Sequence, residues 1–205
     1  STYSLNDGSL SLDAPVETER SDTYIYDPRT PTPTIGGLNL GSTSIPGGPY
    51  DQRPVEVTLL TYTTEPLAED VEVTGPVRAL LYASSTALDT DWVVKLSDVD
   101  PTGYSRLLTE GILRARYRDS KEHPTLLVPG KVYPFTIDLW AASNLFKKGH
   151  RIRMTVSSSN FPRYDRNPNT GHEVKDEKEM VVAVNTIYHD PDHPSHLVLP
   201  IIPRG

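Results

Sequence analysis

From residue 71 to 156, apolar side chains mostly recur at every second position, the period that places them on one face of an extended strand. Val71 and Val73, then Val77, Ala79, Leu81 and Ala83, define such a face. Tyr133, Phe135, Ile137 and Leu139 define another. Ile152, Met154 and Val156 define a third, with Arg151, Arg153 and Thr155 as outward alternates. Further strands are predicted over 24–26, 56–63, 92–99, 106–117, 181–188 and 196–199. Residues 141–148 read as a short helix, and the turn at Gly149 launches the strand that follows.

About ten strands with no helix longer than two turns between them cannot build parallel crossover units, so a mainly antiparallel sheet is expected. The long Pro- and Gly-rich stretches at 28–54 and 157–180 suit Greek-key or jelly-roll returns better than a meander. The expected fold class is therefore all-β, an antiparallel two-sheet sandwich of jelly-roll type. The 19 prolines fall mostly between apolar runs, where they end strands and stiffen loops. The stretch 28–54 is too long for a hairpin loop and is expected to cross or dock against something.

A chain of 205 residues fits one such domain, so 1–205 is read as a single unit, with 1–20 as lead-in and 27–54 as an extended docking segment. With 36% hydrophobic and 23% charged residues it can pack a core. A net charge of -7 opposes a phosphate backbone, which argues against nucleic-acid binding. No run of 18 apolar residues predicts a membrane span, and the opening STYSLNDGSL lacks the features of an intact signal peptide. The absence of cysteine excludes disulfides and thiolate metal sites but leaves the compartment open, cytoplasmic or secreted.

Catalytic motifs are missing. The G-x-S-x-G turn of a hydrolase nucleophile occurs nowhere, and the nearest stretch, Gly41-Ser42-Thr43-Ser44, fails its spacing. No P-loop or G-x-G-x-x-G is present, so no cofactor is expected. The tail HDPDHPSH gathers His189, Asp190, Asp192, His193 and His196, but Pro191 and Pro194 force an extended path; a solvated turn is expected there, not a metal site. Asp89, Asp91, Asp98 and Asp100 lack the spacing of an EF-hand, and Asp98 is expected to accept backbone or arginine hydrogen bonds. Arg114, Arg116 and Arg118 alternate, so in a strand they would line one face, either as a charged exterior or to dock another domain. Trp92, Trp140 and the 11 tyrosines are either core and loop anchors or a sugar-stacking platform.

Several long stretches resemble one family. EVTGPV at 72–77, LSDVDPTGYSRLLTEGILRARYRDS at 96–120, LVPGKVYPFTIDLW at 127–140 and FKKGHRIRMTVSSSNFPRYDRNPNTG at 146–171 are similar to the C-terminal domain of the X-Pro dipeptidyl-peptidase and cocaine-esterase group of serine hydrolases. YDPRTPTPTIGG at 26–37 and GPYDQRPVEVTLLTYTTEPL at 48–67 fit the entry to that domain. The resemblance implies a jelly roll related to galactose-binding folds, beside an α/β-hydrolase core and a helical cap that would be its partners in the same polypeptide. In that family the Ser, His and Asp of the triad lie in the α/β-hydrolase domain, so no catalytic residue is carried over to this chain. The implied role is to buttress a catalytic unit that cleaves esters, amides or X-Pro peptides and to wall one side of its cleft. Asp27, Arg29 and Tyr50 are the expected docking residues. A free-standing carbohydrate-binding module, or a structural domain making contacts between copies, is the alternative.

Overall fold

The structure is a computed structural model that describes residues 1–18, 20–39, 46–173 and 178–203. The near-miss nucleophile stretch 41–44 lies outside the described residues. Eleven strands are described: β1 (Thr2–Asn6), β2 (Ser9–Ser11), β3 (Ser21–Tyr26), β4 (Leu60–Thr63), β5 (Val71–Ser85), β6 (Asp91–Val99), β7 (Ser105–Arg114), β8 (Tyr133–Phe146), β9 (Arg151–Ser157), β10 (Ala183–Tyr188) and β11 (His196–Val198). Hydrogen bonds link them in the order β3-β10-β5-β11-β1-β2-β4-β9-β6-β7, with β8 on the other edge of β5. All the named pairings are antiparallel except β2 with β4, which meet in parallel at Ser9 and Thr63. Among the described residues no helix is long and apolar enough to cross a membrane.

The alternation in the sequence accounts for the two layers. Val73, Val77, Ala79, Leu81 and Ala83 of β5 bury one face together with Phe135, Ile137 and Leu139 of β8. Leu96 and Val94 of β6 and Ile152, Met154 and Val156 of β9 close the same cluster from the second layer. Trp92 fills the gap between layers, its ring 5.3 Å from that of Phe135. The expected all-β sandwich is thus the fold observed.

The free edges of β7 and β8 lie against each other without a ladder. Thr109 donates its hydroxyl to the Leu139 carbonyl, and a methyl group placed on Gly111 would sit 2.1 Å from the Asp138 carbonyl oxygen.

Four local expectations are corrected. Residues 141–148 do not form a helix: Ala141 to Phe146 continue β8 and pair with Pro76 to Val71, so the ladder overrides the local preference of the two alanines. The predicted strand 56–63 begins instead in a helical turn, α1 (Arg53–Glu56), where Pro54 suits the first turn and Glu56 is drawn inward by Arg153, 2.7 Å away, and by Ser105. The predicted strand 106–117 ends at Arg114 and passes into a 3-10 turn, Ala115–Tyr117. The expected lead-in 1–20 contributes β1 and β2 to the sheet.

Candidate functional site

One end of the sandwich carries the chain's clearest candidate surface, and it begins at a β-bulge. Pro76 pairs with Ala141 but Arg78 pairs with Asp138, so Leu139 and Trp140 together oppose Val77. The extra residue turns Trp140 into the left-handed region, φ 66, where its backbone N–H donates a 2.8 Å hydrogen bond to Asp138 Oδ1. Its indole is thrown outward and is 68% exposed. Trp140, Leu38, Ile112, Lys121, Asp138 and Tyr164 line a concavity of about 540 Å³. A second concavity of about 350 Å³ shares Ile112 and Tyr164 and extends the surface past Arg114 and Tyr117.

The loop that supplies Tyr164 is fixed by buried charge. Arg114, at the end of β7, makes two contacts with Asp91, at 2.8 and 2.9 Å, and a third with Asp165 at 2.8 Å. Burial pushes the Asp91 carboxyl up, although Arg114 and Asn167 oppose the shift. Burial works against the charge of Arg114, yet the Asp91 and Asp165 carboxylates outweigh it and hold its pKa above the ordinary arginine value. Asn167 bridges Asp91 and Asp89 at 2.8 Å each. Asp89 in turn receives Arg116 through Nε at 2.8 Å and the backbone N–H at 2.9 Å. Arg163 sits 2.9 Å from Glu110 without hydrogen-bond alignment and stacks over the Tyr164 ring at 5.2 Å.

The three arginines of RARYR therefore do not line one strand face. The 3-10 turn buries Arg116 against Asp89, while Arg118 lies over the Tyr133 ring at 4.4 Å and donates to the Ala115 carbonyl. Nor can Trp92 serve in a sugar platform, since it is enclosed in the core. Asp98 accepts from Arg106 at 2.8 Å, as expected of it. The histidines of the tail do not converge on one another: His193 turns to Asp190 and His196 to the Pro194 carbonyl.

Among the expected docking residues, Asp27 and Arg29 meet each other. Their side chains pair at 2.8 Å across a turn in which the Thr30 N–H reaches the Asp27 carbonyl at 3.0 Å. The Arg29 guanidinium, then its backbone N–H, hold the Asp27 carboxyl below the usual carboxylate range. Asp27 borders a concavity of about 420 Å³ with Tyr24, Tyr26, Pro31 and Ser158. Tyr50 lies apart, over Gly36 and Gly48, and its ring leaves no room for a side chain on Gly36. The segment around them is seated on its own sandwich: Thr34 N–H bonds the Phe161 carbonyl at 2.8 Å, and buried Lys95 bonds Gln52 Oε1 at 3.0 Å. Burial lowers the Lys95 pKa against the pull of Glu110 and Glu56.

Alternation from Leu139 already points Trp140 outward; what the sequence does not reveal is the inserted residue and the left-handed backbone at that position. Sequence reasoning also missed Asp91 as the partner of Arg114, and Asp89 and the His172 carbonyl as partners of Arg116, at separations of 23, 27 and 56 residues.

The β-sandwich thus carries an outward tryptophan on β8 beside a charge-locked loop. The chain belongs to the family described as the X-Pro dipeptidyl-peptidase C-terminal non-catalytic domain, whose profile matches residues 1–198. It is 51% identical over 191 residues to the cocaine esterase of Rhodococcus sp., an alignment covering 91% of this chain and 33% of the esterase. An α-amino acid ester hydrolase superposes with TM-score 0.91 at 33% identity, over 98% of this chain and 36% of that one. An aminopeptidase from the marine sediment archaeon Thaumarchaeota archaeon gives 0.88 at 33% identity, over 99% and 37%. The chain thus spans about a third of the length of the relatives it matches.

Proposed function

We propose that this chain is the C-terminal domain of a serine hydrolase acting on esters, amides or X-Pro peptides, and that it docks through the Trp140 face onto the catalytic unit of the same polypeptide, walling one side of the substrate cleft. The observation that carries this reading is Trp140 itself. A left-handed conformation costs a residue other than glycine about 1–2 kcal/mol, and a tryptophan left 68% exposed recovers little of it by packing within the domain. Strain of this kind is retained where the surrounding structure has a use for it. The occupant is the remainder of the parent chain, since the relatives carry about two thirds of their length outside the region matched here.

The test substitutes Trp140→Gly in the parent enzyme and in the 205-residue chain. Glycine accepts a positive φ, so the isolated chain is expected to melt at the same temperature or a few degrees higher. The parent enzyme should lose activity or heat tolerance. A parent unchanged in both would remove the docking role.

Asp27, Arg29 and Tyr50 are proposed as a second, outer contact of the same kind. Alanine at all three should lower the heat tolerance of the parent more than that of the isolated chain. Equal losses in the two would assign these residues to the domain's own turn structure.

A further inference from the structure

A cluster of ligating side chains that shares no residue with the Trp140 face forms where the β1–β2 turn, the start of β3 and the residue after β10 come together. Asp7, Asp22 and His189 each present a ligand atom there, all within 4.8 Å of one another. His189 Nε2 is 3.0 Å from Asp22 Oδ2 and 3.8 Å from Asp7 Oδ1. Ligand atoms around a tetrahedral zinc ion stand about 3.3 Å apart, given bonds of about 2.0–2.1 Å, so these separations bracket what such an ion requires.

The surroundings orient the donors as the outer partners of a metal site do. Arg20 Nη1 holds Asp7 by Oδ2, at 2.6 Å, which leaves Oδ1 as the oxygen that faces the imidazole. The Tyr62 hydroxyl donates to Asp22 Oδ2 at 2.8 Å. The His189 backbone N–H is tied to the Arg20 carbonyl at 3.0 Å, and its side chain is 1% exposed. A cavity of about 190 Å³, lined by Asn6, Asp7, Ser9, Glu17, Arg20 and His189, opens beside the ring and offers an entry path with room for a water as fourth ligand.

We propose that Asp7, Asp22 and His189 form a binding site for a divalent transition ion of the zinc type. The buried imidazole directs Nε2 between two carboxylates, 3.0 Å from Asp22 Oδ2 and 3.8 Å from Asp7 Oδ1. An ion bound there would take the Nε2 lone pair in place of any proton on that nitrogen. The site joins positions 7, 22 and 189, so an ion there clips the N-terminal hairpin to the β3–β10 edge.

The experiment uses the untagged, metal-stripped 205-residue chain, titrated with Zn²⁺ by calorimetry and with Co²⁺ by visible absorption. Expected are one Zn²⁺ per chain, the intense visible bands of four-coordinate Co²⁺, and a melting temperature raised by about 5–10 °C at a hundredfold excess over Kd. Asp7→Asn, at an exposed turn, and His189→Gln should each weaken binding at least tenfold. Because His189 is enclosed and its variant could fail to fold, Asp7→Asn alone decides if that happens. No saturable binding, or stoichiometric binding unchanged in Asp7→Asn, overturns the assignment; the second result would place the ion on other histidines such as His193.

Discussion

Replacing Arg116 with methionine is expected to cost the chain about 3–5 kcal/mol of stability, because it leaves the enclosed Asp89 carboxylate without its cationic partner. Among the described residues Asp89 would keep only the Arg116 backbone N–H and the Asn167 amide, both neutral donors. The His172 carbonyl would lose the Arg116 Nη2 contact at 2.8 Å as well. The pair joins the β5–β6 connection to the turn after β7, so chemical denaturation should show the loss as a lower midpoint with an unchanged slope. Adding Asp89→Asn removes the stranded charge and should recover part of the loss. If the double variant were as unstable as the two single losses summed, the ion pair would not be the cause.

Gly111→Ala is expected to be nearly as damaging, by a steric route. The added methyl would lie 2.1 Å from the Asp138 oxygen and 2.9 Å from its carbonyl carbon. Neither strand can withdraw freely: Gly111 pairs with Val94, and Asp138 pairs with Arg78. Overpacking against backbone on both sides should cost about 3 kcal/mol, near the upper end of the usual range, or about 6–12 °C in melting temperature. Gly103→Ala is the control. That glycine has φ 86 but open space around it, so only conformational strain applies, about 1 kcal/mol. Equal shifts for the two variants would mean that the seam between β7 and β8 tolerates more than its geometry suggests.

The strands were legible wherever alternation ran unbroken. The faces of β5, β8 and β9 follow directly from Val77, Ala79 and Leu81, from Phe135, Ile137 and Leu139, and from Ile152, Met154 and Val156. What escaped the sequence depends on partners distant along the chain. Arg116 looks like a strand residue until Asp89 captures both its backbone and its guanidinium, which bends the chain into a 3-10 turn. Trp140 is outward as alternation from Leu139 has it, but its left-handed backbone follows from the register slip against β5 between Pro76 and Arg78, which the sequence does not show. His189 was read within its own histidine-rich tail, whereas its ring belongs with Asp22, 167 residues earlier. The stretch 27–54, expected as an extended docking segment, has its seat on Phe161 and Ser105 of its own sheet, a property that its prolines and glycines do not announce.

The N-terminal hairpin also has a protective consequence. β1 covers the open side of β11, and β2 touches β4 through the Ser9–Thr63 bridge. Strand edges with unpaired N–H and carbonyl groups are templates for recruiting other chains. Cleavage after residue 11 would bare both β11 and β4 at once, and the cut chain is expected to aggregate more readily than the intact one.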